Sequence, residues 1–117
     1  MSIELLCKKI REDSKELLFN DVIASIDEYY RYQPTKFSNG LGQDVVVNEA
    51  GSNQGSCKVF GFAQLNQLNE QETLRCFCEH YRDVLNDPQG DGHANIRHFM
   101  RNGWDGIVFD QFPLREK

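Results

Sequence analysis

The stretch that decides the fold is PTKFSNGLGQDVVVNEAGSNQG, residues 34–55, in which four glycines and three asparagines surround a run of valines. Gly and Asn at this density favour turns, and the β-branched run 45–47 favours an extended segment. The pair Asn39-Gly40 is a strong signal for a tight turn between two strands. We therefore predict a small hairpin over residues 35–47.

Five helical patterns lie on either side of this stretch. The first four begin at side chains that can accept hydrogen bonds from free helical N–H groups: Ser2, Asn20 or Asp21, Ser56, and Asn69. The second is expected to end at Pro34, because the residue before a proline avoids the helical region. The fourth is predicted to run unbroken until Pro88 and Gly90 end it. The fifth spans about Ala94 to Asn102, with Gly103 as its C-cap.

The third of these segments leaves two interpretations open. Phe60 and Phe62 alternate as they would in a strand, whereas the length of the segment and its Ala-Gln-Leu tail favour a helix. After the fifth segment, GIVFD is typical of a short buried strand. Together the patterns predict one α+β domain over residues 1–117, predominantly helical with about five helices. Its small β-sheet is expected from residues around 36–47 and 106–110.

The composition is typical of a soluble globular domain. Of the 117 residues, 39% are apolar and 26% are charged, which suits a folded chain with its own core. The formal net charge of −5 disfavours nucleic acid, whose phosphates an acidic surface repels. No apolar run approaches the roughly 20 residues of a membrane span, and MSIELLCKKIRED lacks the order of a cleavable signal peptide. We therefore expect a cytoplasmic protein with neither a nucleic-acid nor a membrane partner.

The cysteines are predicted to be four free thiols: Cys7, Cys57, Cys76 and Cys78. A domain of this size needs no disulfides, and nothing else in the sequence indicates an oxidising compartment. Cys76 and Cys78 are two positions apart on a predicted helix and so point about 200° apart, which disfavours a shared metal ion. Since no histidine pair has the H-x₃-H spacing either, we predict no metal site and no cofactor.

The glycine loop GSNQGSCK, residues 51–58, is a candidate anion site. It follows the valines and precedes a helix, so its backbone N–H groups could converge on a small anion. A P-loop would need G-x-x-x-x-G-K-[ST], but here Ser56 and Cys57 stand where the lysine and the hydroxyl belong. The alternative is that Gly51 and Gly55 only make turns and Ser56 caps the helix.

Cys57 is the candidate nucleophile. It lies in the first turn of the predicted third helix, where the helix dipole and the adjacent Lys58 favour a thiolate. A cysteine enzyme also needs an imidazole, and His93 is the best candidate because its turn is rich in Gly, Asp and Asn. The alternatives are that Cys57 is a buried, inert thiol and that His93 only caps the last helix.

Two polar loops, residues 38–56 and 89–95, both precede predicted helices. If the fold brings the two helix starts together, six polar side chains line one cleft: Asn39, Asn48, Glu49, Asn53, His93 and Arg97. Arg97 follows His93 by one helical turn, so the pair could bind a carboxylate or phosphate. Arg97 could equally pair with an acidic residue. His98 lies nearly opposite the apolar face of its helix and is expected to face solvent.

Four stretches occur in a characteristic order: YRYQPTKFSNG, NEAGSNQGSCKVFGFAQL, TLRCFCEHYRDVLNDPQG and HANIRHFMRNGWDGI. In these motifs, which extend from Tyr30 to Ile107, the chain resembles the HopJ type III effector family of bacterial proteins. The family takes its name from plant-pathogen effectors delivered by type III secretion, and the resemblance implies no catalytic activity. This chain has Gly92 where the family often has an acidic residue, and Cys78 where a small residue is common.

From these observations we predict a binding or interaction domain with a polar cleft at the Gly/Asn loop. Its partner would be a small anion or a protein, because Asn and Gly shape backbone and form hydrogen bonds more than they transfer protons. The alternative is a cysteine-dependent hydrolase or transferase that uses Cys57 with His93. The resemblance alone implies a third possibility, secretion by a type III system into a host cell and action there by protein contact. An exposed aromatic patch would favour that possibility: Tyr29, Tyr30, Tyr32 and Trp104.

Overall fold

The computed structural model describes all 117 residues. It contains six α-helices, one 3-10 helix and five strands, which confirms the predicted α+β class with helices in the majority. None of the helices combines the length and the apolar character needed to cross a bilayer. The elements follow one another as α1 (Ile3–Arg11), α2 (Phe19–Tyr29), β1 (Tyr30–Tyr32), β2 (Phe37–Leu41), β3 (Asp44–Asn48), α3 (Gln54–Leu65), α4 (Glu70–Arg75), α5 (Glu79–Asn86), α6 (Ala94–Asn102), the 3-10 helix (Gly103–Gly106), β4 (Ile107–Phe109) and β5 (Leu114–Glu116).

The predicted hairpin forms, but its turn lies elsewhere. β2 pairs antiparallel with β3 on one side and with β4 on the other, so the sheet has the order β3-β2-β4. The hairpin turns at Gly42-Gln43, and the predicted turn at Asn39-Gly40 is wrong. Asn39 instead buries its side chain. Gly40 has a φ of 127°, and any side chain there would collide with the Asp44 carbonyl, so β2 requires glycine at this position.

A second, two-stranded sheet joins the end of the chain to α2. β1 follows α2 directly and pairs antiparallel with β5, with Tyr30 opposite Glu116 and Tyr32 opposite Leu114. α2 therefore ends at Tyr29 and not at Pro34, because the next three residues take strand hydrogen bonds in place of helical ones. The sequence did not predict this pairing.

Three further helix boundaries differ from the predictions. Leu18 is the N-cap of α2, and Asp21 is its third residue, with its carboxylate accepting a hydrogen bond from the Leu18 N–H at 3.0 Å. Asn53, and not Ser56, is the N-cap of α3. The long fourth helix is divided into α4 and α5, because Cys78 has a φ of 53° and a ψ of −120°, which no helix accommodates.

Other local predictions are confirmed. Ser2 accepts a hydrogen bond from the Leu5 N–H at 3.1 Å, and Asn69 and Glu72 exchange hydrogen bonds in a capping box. The segment whose phenylalanines alternate is helical, since it forms α3.

The aromatic core fixes the elements that later border a cavity. The Phe60 ring of α3 lies 5.1 Å from Phe99 of α6 and 5.7 Å from Phe77 between α4 and α5, measured between centroids. Trp104 packs edge-on against both Phe60 and Phe99 beneath α6. Such aromatic pairs stabilise a core by about 0.5–1.5 kcal/mol each beyond the area that they bury. α3 and α6 are therefore held at a fixed distance.

Candidate functional site

Four asparagines from separate elements form one hydrogen-bonded network. Asn39 on β2 donates to the Asn95 main-chain oxygen at 2.8 Å and to its Oδ1 at 3.0 Å. Asn48 at the end of β3 and Asn95 exchange two further bonds, at 3.1 and 2.9 Å. Asn53 donates to Asn48 Oδ1 at 2.6 Å. The network therefore ties the starts of α3 and α6 to the hairpin.

Two of the side chains predicted to contact a ligand, those of Asn39 and Asn48, belong to this network. Asn39 is 0% exposed and Asn48 is 1% exposed, and their hydrogen bonds run to other parts of the protein. A contact between either residue and a ligand stays a prediction. What the structure gives them is a positioning role, because they hold Asn95 and the first turn of α6 in place.

A cavity of about 250 Å³ lies between the starts of α3 and α6 and one side of α5. Its polar lining is formed by Asn53, Gly55, Ser56, His80, His93 and Asn95. Phe19 and Phe77 supply an apolar wall. The two helix starts that the sequence analysis considered together are therefore neighbours in the structure, and His93 lies with them.

The two helix starts share an unusual backbone. Their N-caps, Asn53 and His93, both have left-handed φ and ψ, at 51° and 47° and at 58° and 53°, and neither N-cap side chain makes a capping hydrogen bond. A left-handed residue followed by a helical one makes a concavity of backbone N–H groups that favours anions. Four N–H groups that border the cavity have no hydrogen-bond partner within the protein: those of Gly55, Ser56, Ala94 and Asn95.

Two imidazoles and a carboxylate meet on the α5 side of the cavity. The His80 and His93 rings lie 5.1 Å apart between centroids, and His93 Nε2 is 3.7 Å from Asp83 Oδ2. Phe19 packs edge-on against His80 at 4.8 Å and fixes that ring from the other side. One nitrogen of each histidine and one oxygen of Asp83 lie within 4.8 Å of one another.

Cys57 lies in a different environment. Its side chain is 0% exposed, beside the Tyr32 phenol, and burial raises the pKa of the thiol to about 11. Lys58 does not act on it as the sequence analysis supposed, because its ammonium pairs with Asp27 at 2.8 Å. Cys57 is not among the residues that line the cavity beside His93. The four cysteines are unpaired, as predicted, and the structure shows that all four are buried.

Two other predicted ligand contacts lie outside the cavity. Arg97 wraps around its own loop, with Nε donating to the Gly92 carbonyl at 2.6 Å and a terminal nitrogen reaching the Pro88 carbonyl at 3.5 Å. Glu49 is exposed beyond the end of β3. Arg97 therefore does not share the cavity with His93, and its role in the structure is to hold the segment that carries His93.

His98 is half-buried, so its predicted place in solvent is wrong. Its Nδ1 lies 3.2 Å from the Asp44 carbonyl oxygen and 3.3 Å from the Asp44 carboxylate. The same carboxylate receives two hydrogen bonds from Arg101, at 2.8 and 3.0 Å, and one from Asn102 at 2.9 Å. Arg101 and then Asn102 hold the pKa of Asp44 well below its usual range. This cluster ties the tip of the hairpin to the end of α6.

A second, smaller cavity of about 130 Å³ lies between α1 and α5. It is lined by several cations, but Asp13 already pairs with two of them, Lys15 at 2.9 Å and Arg75 at 3.9 Å. Because the Asp13 carboxylate already neutralises part of the positive charge here, this cavity attracts an anion less than the cavity at the two helix starts does.

The aromatic residues that would have favoured a protein-contact surface are divided between core and surface. Tyr30 is 7% exposed, Tyr32 and Trp104 are partly buried against the core, and Tyr29 is exposed. They therefore form no continuous exposed patch.

Three residues of this site were not among the predicted ones: His80, Asp83 and Asn95. His80 and Asp83 are three positions apart on α5, a spacing that places both side chains on one helix face and could have been noticed. Asn95 gave no signal, since a single Asn in a first helical turn is common.

The comparisons with known proteins agree with the resemblance. The family model described as HopJ type III effector protein matches residues 3–114, nearly the whole chain. The crystal structure of VPA0580, described as an unknown function protein, is similar with a TM-score of 0.92 and 37% sequence identity; the match covers 100% of this chain and 95% of that one. No curated protein matches the chain. The chain belongs to the HopJ type III effector family.

Proposed function

We propose that this protein is a binding domain whose cavity takes a small anionic group, such as a phosphate or a carboxylate. One observation carries the proposal: two helix starts with free N–H groups open into the same cavity, and two histidines line it. The proposal keeps the polar cleft of the sequence analysis and assigns it to the walls formed by α3, α5 and α6.

The donors in this cavity match the acceptors of an oxyanion. Each helix start carries about half a positive charge and several N–H groups without partners, so two of them together favour a negative group. His93 adds an imidazole at the α6 start. Because the chain as a whole carries a net charge of −5, the attraction has to be local to these groups.

The size of the cavity favours a small ligand. Its volume of about 250 Å³ is below the roughly 300–1,000 Å³ of sites for drug-sized molecules. The anionic group would lie against the two helix starts. Phe19 and Phe77 would then contact any uncharged remainder of the ligand.

The surroundings of Cys57 support binding over nucleophilic catalysis. A thiol with a pKa of about 11 is ionised in on the order of one molecule in 10,000 at neutral pH. It is also fully buried, so a substrate has no path to its sulfur without a rearrangement. The pairing of Cys57 with His93 as an enzyme stays the alternative, and its test is alkylation of the thiols.

The location of the protein belongs to the same proposal. We expect it in the cytoplasm of the cell that makes it, and the family description fits the alternative of delivery into a host cell. A translocation reporter fused to the full chain distinguishes the two, because only a delivered protein gives signal inside the recipient cell.

Calorimetric titration of metal-free protein with inorganic phosphate, at constant ionic strength, tests the binding proposal. We expect saturable binding at one site. His93→Asn should weaken it roughly tenfold or more, the usual effect of losing one hydrogen bond to a charged group. Asn tolerates the left-handed backbone at this position, so the variant removes the imidazole without straining the turn.

His98→Gln is the matched control, since His98 contacts Asp44 and not the cavity. The control should bind phosphate as the wild type does. Absence of saturable binding in the wild type, or an equal loss in both variants, would contradict the proposal.

A further inference from the structure

We propose that His80, Asp83 and His93 form a binding site for a divalent transition metal such as Zn²⁺, at the mouth of the same cavity. The three side chains bring one potential ligand atom each to within 4.8 Å of one another. The site does not depend on anion binding, because all three proposed ligands come from the protein.

α5 supplies two of the ligands from one face. His80 and Asp83 are separated by three positions, and side chains with this spacing lie one above the other on a helix. The same i, i+3 spacing of a carboxylate and a histidine supplies metal ligands in helical bundles. The relative positions of these two ligands are therefore set by α5 alone and do not depend on a loop.

The third ligand is held by a specific backbone conformation. His93 has a φ of 58°, a conformation that non-glycine residues adopt rarely and at a cost of about 1–3 kcal/mol. Its carbonyl oxygen accepts hydrogen bonds from the N–H groups of Ile96 and Arg97, and these bonds fix the His93 backbone to the first turn of α6. The Arg97 side chain in turn fixes the Gly92 carbonyl just before it. The imidazole is therefore directed at α5 by a constrained turn.

The donor set suits a transition metal. Two imidazole nitrogens with one carboxylate oxygen are the ligands of several catalytic zinc sites and of the facial triad that binds Fe²⁺. Neither the His80 nor the His93 imidazole makes a hydrogen bond within the protein, and His93 Nε2 is 3.7 Å from Asp83 Oδ2, so no ring hydrogen bond has to break before the nitrogens coordinate an ion. Three protein ligands leave at least one coordination position open.

The distances are compatible with closure around an ion. Bonds of about 2.0–2.2 Å in tetrahedral geometry put ligand atoms roughly 3.3–3.6 Å apart. His93 Nε2 and Asp83 Oδ2 are already 3.7 Å apart, but the three ligand atoms are spread over up to 4.8 Å, so closure requires side-chain movements of about an ångström. The side chains of His93 and Asp83 are 37% and 66% exposed, which leaves room for these movements. A bound cation would also offset the negative charge that Asp83 otherwise brings to the cavity mouth.

Titration of chelator-treated protein with Zn²⁺, followed by calorimetry, tests the site. The wild type should bind one ion. Asp83→Asn, His80→Gln and His93→Asn should each raise the Kd by at least the roughly 10–100-fold that loss of a group merely supporting a ligand costs. His98→Gln and the exposed loop variant Asp91→Asn are the controls and should leave the Kd unchanged. Thermal melts of each variant establish that it is folded.

Each outcome has a definite meaning. No saturable binding by the wild type, or equal binding by wild type and all three ligand variants, overturns the proposal, the latter because the ion is then held elsewhere. A loss in Asp83→Asn alone also overturns it, since unchanged binding in both histidine variants means that neither imidazole coordinates the ion. The phosphate titration uses metal-free protein, so either proposal can fail while the other holds.

Discussion

Asn39 donates two hydrogen bonds to Asn95, one to its main-chain oxygen at 2.8 Å and one to its side-chain oxygen at 3.0 Å, across a separation of 56 residues. Asn95 is the second residue of α6 and lines the cavity, directly after His93 and Ala94. The hairpin therefore fixes the position of the first turn of α6. Because His93 is the N-cap of this helix, the hairpin also helps to position its imidazole.

Loss of Asn95 should destabilise the fold. Asn95→Ala removes three buried side-chain hydrogen bonds, one from Asn39 and two exchanged with Asn48, at about 0.5–1.5 kcal/mol each, while Asn39 keeps its bond to the main-chain oxygen. We expect the free energy of unfolding, measured by urea denaturation, to fall by about 2–4 kcal/mol. The exposed Asn20→Ala in α2 is the control and should change it by less than about 0.5 kcal/mol. Similar losses in both variants would mean that the network adds little to stability.

The protein should be more stable with glycine than with alanine at position 78. Its φ of 53° and ψ of −120° place the Cβ in a region that costs about 1 kcal/mol or more, and glycine carries no Cβ. We expect Cys78→Gly to exceed Cys78→Ala in free energy of unfolding by about 1 kcal/mol.

Cys76 provides the matched comparison because its φ of −61° and ψ of −24° are helical. At position 76 the order should reverse: the free energy of unfolding of Cys76→Ala should exceed that of Cys76→Gly by about 1 kcal/mol. The same order at both positions would contradict the explanation of the break between α4 and α5.

The Asp44 cluster should make stability fall in acid. Arg101 and Asn102 lower the pKa of Asp44 in the folded state, so folding favours the ionised carboxylate. The resulting stabilisation is present above the unfolded pKa of about 3.8 and is lost as the pH falls through the lower folded value. Urea denaturation between about pH 2 and pH 7 should show the advantage of wild type over Asp44→Asn shrinking below about pH 4. A constant difference would contradict this assignment.

The four thiols should be unreactive in the folded protein. Burial raises the pKa of Cys57 to about 11 and that of Cys78 to about 12, and Cys76 is shifted well upward by the same cause. Iodoacetamide at neutral pH, mapped residue by residue, should modify all of them slowly, and unfolding in urea should expose them together. Fast, selective modification of Cys57 would support the cysteine enzyme instead.

Zn²⁺ and phosphate should strengthen each other's binding. A cation held by His80, Asp83 and His93 lies at the mouth of the cavity that takes the anion, so each ligand favours the state that binds the other. Because such coupling is reciprocal, the factor by which Zn²⁺ lowers the phosphate Kd should equal the factor by which phosphate lowers the Zn²⁺ Kd. Calorimetric titrations in both orders measure it. Independent affinities would mean that the ion and the anion do not meet.

Local composition predicted much of the fold. The valine run gave the hairpin, and the caps at Ser2 and Asn69 form as expected, because these signals act over three or four residues. The prediction of a turn at Asn39-Gly40 was wrong because Asn39 is held in β2 by a distant partner. Its side chain donates a hydrogen bond to the main-chain oxygen of Asn95. The break at Cys78 could not be seen, since the apolar face of the pattern continues across it without Gly or Pro.

The site was predicted less completely than the fold. The pattern of two polar loops before two helices identified the helix starts that share the cavity, and it identified His93. It could not show that Asn39 and Asn48 are buried, because burial of an amide depends on partners far away in sequence. The meeting of His93 with His80 depends on a left-handed residue, which sequence spacing does not reveal.

The most direct test of the central claim is an NMR titration of metal-free, ¹⁵N-labelled protein with inorganic phosphate at constant ionic strength. If the cavity binds an anion, the backbone amides of Gly55, Ser56, Ala94 and Asn95 should shift together along one saturable curve. The amides of Lys9 and Arg75, which line the second cavity, should stay unchanged. Shifts confined to that second cavity, or no saturable shift at the two helix starts, would contradict the account.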